Sequence, residues 1–314
     1  MINKLGKVLV TGGAGFIGSH SVDLLLENGI EVRVLDNLST GKMKNLPANH
    51  PNLEFVQGDI RNMSDVLAAM NGATYCLHLA AQVSVSLSIQ DPVNSSEANV
   101  QGFLHVLEAA RQCDVKRVVY ASSAAVYGVP AYLPLDEQAP VKPISPYGLE
   151  KLIDEKYASL YSDLYGLSTL GLRYFNVYGP RQDPSSPYSG VISIFTKNIR
   201  EKKTIQIFGD GNQTRDFVFV KDVAATNVQA LSSGLLSVSN VGTGESVTLM
   251  QLLNVLEGIG GEADKEFFVA REGDICDSSM DPSMLRNSLK MVALTPLKEG
   301  LTDLWKEARK DLCS

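Results

Sequence analysis

The sequence predicts an α/β fold, a doubly wound parallel sheet followed by a smaller C-terminal domain. Two observations predict this. Short β-branched runs alternate with longer amphipathic stretches through the first half of the 314 residues, which is typical of repeated β-α-β units. A glycine-rich turn, TGGAGFIGS, connects the first of these runs to the first amphipathic stretch. After about residue 180 the alternation gives way to polar turns rich in glycine and proline, so we expect a smaller and irregular region there.

The predicted strands are short apolar runs, as expected where both faces of a sheet are covered. In chain order they are VLV, VRVL, LEFV, YCLHL, RVVYAS and STLGLRYF, and six or seven parallel strands are expected. Two long helices are predicted between them, NVQGFLHVLEAARQC and YGLEKLIDEKYASLYSDLYG. The second is expected to begin just after Pro146 and to end at Gly166, because proline favours helix starts and glycine favours helix ends.

Composition excludes several classes of function. The net charge is −7, from 35 acidic and 28 basic residues without a dense basic block, which argues against a nucleic-acid partner. The four cysteines and four histidines show no ligand spacing, so neither a metal site nor a disulfide is predicted. No apolar run reaches the roughly 18 residues of a membrane span, and the N-terminal stretch resembles a first strand more than a signal peptide, so a cytoplasmic protein without a membrane partner is expected.

The glycine-rich turn predicts a dinucleotide site. Gly12, Gly15 and Gly18 lie between a strand and a helix, where free backbone amides at the helix start can bind a pyrophosphate. Asp36 ends the second strand, eighteen residues after Gly18, where a carboxylate can accept hydrogen bonds from a ribose diol. That carboxylate would repel a 2'-phosphate, so NAD is favoured over NADP.

A phenol, an ammonium and a hydroxyl are predicted to meet in one place. Tyr147 and Lys151 are four residues apart in SPYGLEK and would share a helix face. A cation one turn away favours the phenolate form of a tyrosine, which can then remove a proton from an alcohol while hydride leaves to NAD. The serine-rich strand end YASSAAVYG supplies Ser122 or Ser123, of which strand alternation lets only one face a cleft. Taken alone, a tyrosine and a lysine at this spacing also suit an ordinary surface helix.

These motifs together resemble the extended short-chain dehydrogenase/reductase family, and within it the NAD-dependent UDP-hexose 4-epimerases of the UDP-GlcNAc/UDP-GalNAc type. The matching segments include TGGAGFIGSH, LDNLSTG, HLAAQ, ASSAAVYG, SPYGLEK, LRYFNVYGPRQ, TRDFVFVKDVA and REGDI, and they span essentially the whole chain. The resemblance implies a Rossmann domain over residues 1–180 that binds NAD and carries the catalytic residues. It implies that residues 181–314 mainly bind a UDP-sugar, with some segments returning to the first domain, and that the protein is a homodimer.

The resemblance also implies the residues of the site. Ser123, chosen over Ser122 by the motif register, would act with Tyr147 and Lys151 as the catalytic set. The expected NAD contacts are Gly12, Gly15, Phe16, Ile17, Gly18, Asp36, Asn37, Ser39, Thr40, Gly41, Asp59, Ile60, Leu79, Ala80, Ala81, Asn99, Tyr147, Lys151 and Phe175. The expected UDP-sugar contacts are Ser84, Ser123, Tyr147, Asn176, Val191, Arg215, Arg271, Asp274 and Ser278. Two arginines suit a diphosphate because a guanidinium binds phosphate oxygens at two points.

Two departures from family patterns bear on the reaction. Ala124 and Ala125 stand where dehydratases carry an acid pair, which favours epimerisation over elimination. Ser278 stands where some UDP-glucose epimerases carry a tyrosine, which leaves room for an N-acetyl group beside the sugar, unless Ser278 only belongs to a polar loop. UDP-GlcNAc/UDP-GalNAc are therefore the expected substrates, with UDP-Glc/UDP-Gal also accepted. The alternatives are a 4-epimerase of another UDP-sugar, such as UDP-glucuronate, and a non-catalytic NAD-sensing protein.

Overall fold

The computed structural model describes residues 5–183, 190–270, 276–291 and 293–310. Its centre is a parallel sheet of seven strands in the order β10-β6-β5-β4-β1-β2-β3. The strands of this sheet are β1 (Val8–Thr11), β2 (Val32–Asp36), β3 (Leu53–Gln57), β4 (Tyr75–His78), β5 (Arg117–Ser123), β6 (Ser168–Tyr174) and β10 (Ser237–Val241). All six predicted strands are present, and β10, from the second half of the chain, joins them at the edge beside β6.

Helices cover both faces of the sheet, so the predicted doubly wound α/β fold is confirmed. They are α1 (Phe16–Glu27), α2 (Met63–Met70), α3 (Val85–Gln90), α4 (Pro92–Ser96), α5 (Gly102–Gln112), α6 (Pro146–Tyr165), α7 (Val191–Arg200), α8 (Val220–Ser232), α9 (Leu249–Gly260), α10 (Ser283–Ser288) and α11 (Leu297–Lys310). Successive residues of β1 enter different cores: Val8 and Val10 pack with α1 and α8, whereas Leu9 packs with α2, α5 and α6. Each fully buried side chain of this size contributes about 1.5–3 kcal/mol, which explains why the strands lack polar alternation.

The helix that carries Tyr147 and Lys151 has the predicted bounds. Ser145 caps it by accepting a hydrogen bond from the amide of Gly148, Pro146 occupies the first turn, and Gly166 ends it in a left-handed conformation with φ of 69°. The other predicted long helix differs from the expectation. A π-helical turn, Glu97–Gln101, begins two residues before the predicted start at Asn99 and includes the first three predicted residues, and α5 begins only at Gly102. The wider turn contains buried Asn99, whose side chain is hydrogen-bonded on two sides.

The second half of the chain is more regular than the sequence suggests. Besides β10, its strands form a sheet in the order β11-β9-β7 and a pair of β12 with β8. Their bounds are β7 (Asn176–Tyr178), β8 (Ile205–Phe208), β9 (Thr214–Phe219), β11 (Ser246–Thr248) and β12 (Lys265–Phe268). Phe16 and Ile17, from the start of α1, pack against the apolar core of this region, which therefore adjoins the glycine-rich turn. None of the helices in the described ranges is long and apolar enough to cross a membrane.

Candidate active site

The glycine-rich turn is closely packed at two of its glycines. Gly12 has a φ of +69°, and a Cβ there would lie 2.7 Å from the amide nitrogen of Ala80. A Cβ at Gly18 would lie 2.1 Å from the carbonyl oxygen of Gly12. No other residue fits at either position without moving backbone. The turn therefore presents bare backbone at the start of α1.

The start of α1 has the properties of an anion site. Gly15 is its N-cap residue, and no side chain in the described part of the chain caps the helix end. The amides of the first turn and the positive end of the helix dipole are thus available for a pyrophosphate. Phe16 and Ile17, both half-buried, begin the helix at this point. These features fit a dinucleotide.

Asp36 lies directly beside this turn. Its Oδ2 accepts a hydrogen bond of 3.0 Å from the amide of Ala14, and its Oδ1 accepts one of 2.8 Å from the amide of Leu38. A Cβ at Gly41 would lie 2.8 Å from Oδ1, so the following loop also passes close to the carboxylate. Each carboxylate oxygen keeps a further lone pair for a ribose hydroxyl. Asp36 is positioned as the expected ribose acceptor requires.

Asp59, which is expected to contact the adenosine, is hydrogen-bonded to two neighbouring side chains. Its Oδ2 accepts a hydrogen bond of 3.0 Å from Asn37, and it pairs with Arg61 at 2.7 Å. The Arg61 guanidinium holds the pKa of Asp59 well below its usual range, so the carboxylate is charged at neutral pH. Ile60 is buried next to it. Ser39 and Thr40 are exposed in the loop between Asn37 and Gly41.

A threonine and a histidine fix the strand ends where the nicotinamide is expected. The Thr11 hydroxyl oxygen accepts hydrogen bonds of 3.2 Å from the amides of both Leu79 and Ala80. The same hydroxyl is hydrogen-bonded to His78 Nδ1 at 2.7 Å. Burial, assisted by the Lys151 ammonium, lowers the pKa of His78 to about 3. His78 is therefore neutral near pH 7, and Ala81 follows Leu79 and Ala80 in the chain.

The two candidate serines at the end of β5 face opposite sides. Ser122 is 2% exposed and donates a hydrogen bond of 2.6 Å to Glu155. Ser123 is half-buried, and its Oγ accepts a hydrogen bond of 3.1 Å from the amide of Ala125. The hydroxyl proton of Ser123 remains available for a ligand oxygen. This arrangement favours Ser123 as the serine of the cleft.

The start of α6 lies against the segment that follows Ser123. A Cβ at Gly148 would lie 2.6 Å from the carbonyl oxygen of Ala125, so the helix approaches this segment closely. Tyr147, in the first turn, is half-buried, and its amide donates a hydrogen bond of 3.1 Å to Ser88 Oγ. The fold thus brings the segments of Ser123 and Tyr147 together, as expected from the sequence.

Lys151 is buried one turn further along α6. Its Nζ lies 3.1 Å from Asp154 Oδ2, and both side chains are at most 3% exposed. Burial acts to lower the pKa of Lys151, but Asp154 and other nearby groups outweigh it and raise that pKa. Lys151 therefore carries a positive charge inside the protein.

Asn99 connects the π-helical turn to α6. Its Nδ2 donates a hydrogen bond of 2.6 Å to Glu150 Oε2, and its Oδ1 accepts one of 2.8 Å from the amide of Gln82. Ser95 donates a further hydrogen bond of 2.9 Å to the same Glu150 oxygen. These bonds fix α6 relative to the segment after Ala81.

The expected nucleotide contacts lie partly on the second sheet. Asn176 on β7 donates a hydrogen bond of 3.0 Å to the carbonyl of Asp216 on β9, next to Arg215. Ser278 is half-buried, and its carbonyl accepts a hydrogen bond of 3.1 Å from Ser246 on β11. Strands β7, β9 and β11 therefore bring these three residues into one small sheet region.

The remaining predicted contacts are more dispersed. Val191 begins α7, and Phe175 is buried, with its amide donating to the carbonyl of Val241. Ser84 is 5% exposed and caps α3 by accepting a hydrogen bond from Leu87. Arg271 and Asp274 lie outside the described residues.

Sequence reasoning missed four polar residues of the site, which are Thr11, His78, Glu150 and Asp154. The helical periodicity of SPYGLEKLIDEK contains a signal for the last of them, because Asp154 follows Tyr147 by seven residues and shares its face. Thr11 and His78 end adjacent parallel strands and are partners in the β1–β4 register. That pairing is not visible before the strand order is known.

Comparison with known proteins agrees with this geometry. The profile of the NAD dependent epimerase/dehydratase family matches residues 8–242. The UDP-glucose 4-epimerase of Mycolicibacterium smegmatis is 41% identical over 302 residues, which cover 94% of this chain and 96% of that protein.

Two solved structures are similar over nearly their whole length. The UDP-N-acetylglucosamine 4-epimerase of Methanobrevibacter ruminantium M1, in complex with UDP-N-acetylmuramic acid, has a TM-score of 0.93 at 37% identity and covers 98% of this chain and 99% of its own. The UDP-glucose 4-epimerase of Thermus thermophilus, in complex with NAD, has a TM-score of 0.89 at 39% identity, with coverages of 96% and 99%. The resemblance noted in the sequence is confirmed: the chain belongs to the NAD dependent epimerase/dehydratase family and is an enzyme whose cofactor is NAD.

Proposed function

We propose that this enzyme is a UDP-hexose 4-epimerase that retains NAD through its catalytic cycle. The observation that carries the proposal is the placement of Tyr147 on α6, against the segment that follows Ser123, with the buried Lys151 ammonium one turn away. This set supplies a base, a hydrogen-bond donor and a fixed positive charge. All three are needed to oxidise a secondary alcohol and then to reduce the resulting ketone.

In the proposed reaction, Tyr147 removes the proton of the sugar 4-hydroxyl and Ser123 donates a hydrogen bond to that oxygen. NAD, held by the glycine-rich turn and Asp36, would supply the chemistry of accepting hydride from C4 and giving it back. If the 4-keto sugar turns about its link to the diphosphate in between, it presents its opposite face for that return. Tyr147 then returns its proton to O4. Proton and hydride are both restored, so the net change is inversion at C4.

Two features support epimerisation over elimination. Elimination of water needs an acid next to the leaving hydroxyl, and the residues after Ser123 are Ala124 and Ala125. These form a short 3-10 turn that leads to Tyr127, whose hydroxyl is hydrogen-bonded to Asn240 at 2.7 Å. This turn offers no side-chain acid at the place where dehydratases carry theirs.

For the sugar, we propose UDP-GlcNAc and UDP-GalNAc as preferred substrates, with UDP-Glc and UDP-Gal also accepted. Ser278 carries this part of the proposal, because its small side chain stands where a tyrosine would narrow the pocket. The similarity to a protein named as a UDP-N-acetylglucosamine 4-epimerase supports it. In the variant Ser278→Tyr, activity on UDP-GlcNAc should fall far more than activity on UDP-Glc. Equal losses would exclude Ser278 as the residue that sets pocket size.

A panel of UDP-sugars, assayed without added NAD, tests the proposed function. The panel contains UDP-GlcNAc, UDP-GalNAc, UDP-Glc, UDP-Gal and UDP-glucuronate. Conversion to the C4 epimer would support both epimerisation and retained NAD, and the rates would rank the sugars. Absence of conversion for every sugar, in protein shown to contain NAD, would count against the proposal.

We also propose that the protein is a homodimer that pairs through α6 and the helical segment before and within α5. The exposed face of α6 carries Leu149, Leu160 and Leu164, which are 50%, 47% and 62% exposed. Leucines so exposed on one helix face commonly mark an interface. Gel filtration at low concentration should give the mass of two chains. The double variant Leu160→Glu with Leu164→Glu should give the mass of one.

A further inference from the structure

Asp154 is a buried carboxyl whose only hydrogen-bond partner, within the described residues, is Lys151. Its Oδ2 lies 3.1 Å from the Lys151 ammonium, and its side chain is 1% exposed. Its second oxygen, Oδ1, is buried and accepts no hydrogen bond from any described group. Buried carboxylates normally have all their lone pairs engaged. Asp154 is therefore held in place for its effect on Lys151 rather than for a network of its own.

The two neighbouring acids of α6 are different. Glu150 accepts hydrogen bonds from Ser95 and Asn99, and Glu155 forms two hydrogen bonds with Arg173, at 2.8 and 2.7 Å. Each of these acids has partners outside α6 that satisfy it. Lys151 is not among the hydrogen-bond partners of Glu150 or Glu155, and its direct ionic contact is with Asp154.

From these contacts we propose that Asp154 is a positioning residue: its carboxyl group holds the Lys151 ammonium and offsets part of the positive charge that Tyr147 experiences. The proposal rests on the proposed function, in which Tyr147 is the base and Lys151 favours its phenolate form. Lys151, Tyr147 and Asp154 lie on one face of α6, at spacings of four and three residues. A carboxylate in contact with the ammonium weakens the field of the ammonium at the phenol.

The charge of Asp154 itself depends on pH. Burial raises the pKa of its carboxyl to about 7, although the Lys151 ammonium opposes this shift. The ionisable groups that interact with Lys151 or Asp154 come from α6, β4 and β5; they are Tyr147, Glu150, Glu155, His78 and Tyr120. Two groups of β6 interact with members of this set: Arg173 with Glu155 and Tyr174 with Tyr147. Among them, burial lowers the pKa of His78 and raises the pKa of Tyr120 and Tyr174, so these three are neutral near pH 7.

The test compares Asp154→Asn with the wild type and with Asp163→Asn, which makes the same change at an exposed position of α6. The measurement is the pH profile of kcat/KM for the best UDP-hexose. Below pH 7 the wild-type Asp154 carboxyl is itself mostly neutral, so the acid limb of Asp154→Asn should coincide with that of the wild type. Above pH 7 the wild-type carboxylate helps the Lys151 ammonium to keep its proton, and the variant lacks this charge, so its alkaline limb should move down by about one pH unit. Asp163→Asn should keep the wild-type profile.

A second measurement uses NAD-free protein and does not depend on turnover. A carboxyl whose folded pKa is raised gives stability that is complete below its unfolded pKa and is lost as pH rises through the folded value. The unfolding midpoint of the wild type should thus fall, relative to Asp154→Asn, as pH is raised from about 4 to 7. The proposal requires both results. If the wild type and Asp154→Asn give the same pH profile of kcat/KM, or the same pH dependence of the unfolding midpoint, the proposal is overturned.

Two further variants distinguish a failure of this inference from a failure of the proposed function. Asp154→Ser is neutral and smaller; it should shift the alkaline limb in the same direction, and it replaces Asp154→Asn if that variant does not fold. Tyr147→Phe tests the proposed function alone. Normal turnover by Tyr147→Phe would overturn the proposed function. If Tyr147→Phe is inactive but the neutral Asp154 variant keeps the wild-type pH profile, only this inference is overturned.

Discussion

Gly148 and Ala125 approach so closely that a Cβ on Gly148 would lie 2.6 Å from the Ala125 carbonyl oxygen. This contact sets the distance between α6, which carries Tyr147 and Lys151, and the strand end that carries Ser123. The proposed catalytic geometry therefore depends on a backbone approach as much as on the side chains of Ser123, Tyr147 and Lys151.

Gly148→Ala should separate these two segments. The added methyl group meets backbone, which cannot rotate away, so we expect a loss of about 1–3 kcal/mol in the free energy of unfolding and a fall in kcat of at least tenfold. Gly258→Ala is the matched control, because Gly258 lies within α9 and a Cβ there meets nothing within 4 Å. That variant should be as stable as the wild type or slightly more stable. Urea unfolding and steady-state kinetics provide the two measurements, and a fully active Gly148→Ala would show that the contact is unimportant.

Asp36→Asn should weaken NAD binding. The amide can replace one hydrogen bond to the Ala14 or Leu38 amide, but it removes the charge that accepts the ribose hydroxyls. Charge-assisted hydrogen bonds contribute about 1.5–3 kcal/mol, so the Kd for NAD should rise at least tenfold. Titration calorimetry on NAD-free protein measures this change, with UDP affinity as the internal control. Equal NAD affinity of Asp36→Asn and the wild type would show that Asp36 does not bind the ribose.

The stability of the protein should fall in mild acid because of His78. The folded pKa of His78, about 3, lies below its ordinary value of 6.5, so its contribution is complete above pH 6.5 and is lost as pH falls toward 3. Between pH 6.5 and 5 the loss from this residue is about 2 kcal/mol. In His78→Gln that part of the pH dependence should disappear, whereas His50→Gln should keep it. Urea unfolding at the two pH values checks the result; identical slopes for His78→Gln and the wild type would be inconsistent with a buried neutral imidazole.

The paired Glu155 and Arg173 should contribute to stability only as long as both are present. Glu155 also accepts the Ser122 hydroxyl, so Glu155→Gln leaves a buried guanidinium without its countercharge. We expect a loss of about 3 kcal/mol or more in the free energy of unfolding. Glu201 pairs with Lys203 on the surface, and Glu201→Gln should leave the free energy of unfolding unchanged within error. Similar losses in the two variants would exclude a special role for the buried pair.

Much of the fold could be predicted from the sequence because local patterns determine it. The apolar runs of β1 to β6, the glycine turn and the helix signals at Ser145, Pro146 and Gly166 each act within a few residues. The strand pair β8 and β12 could not be predicted in this way. Their first partners, Ile205 and Lys265, are sixty residues apart, and all four residues of β12 are exposed, so it lacks an apolar pattern.

The residues of the candidate site also separate into those that short sequence motifs predict and those that only the structure reveals. Tyr147, Lys151, Asp36 and the glycines are fixed by short motifs, and their positions in the structure agree with the expected roles, which stay predictions. The motif register already favoured Ser123 over Ser122, and the structure adds a physical reason, because Ser122 donates its hydrogen bond to Glu155. The contact of Lys151 with Asp154 needed the packing of α6 on the sheet. The division of the chain into two domains at residue 180 stays a prediction.

Tyr147 is the residue that we propose exchanges the proton of the sugar 4-hydroxyl. The most direct measurement is the rate of C4 epimerisation by Tyr147→Phe, followed by proton NMR with the best substrate of the UDP-sugar panel, alongside its Kd for UDP. Loss of a positioned base should slow turnover by at least a hundredfold while the UDP affinity stays within a factor of two or three. Turnover at the wild-type rate in Tyr147→Phe would contradict the account.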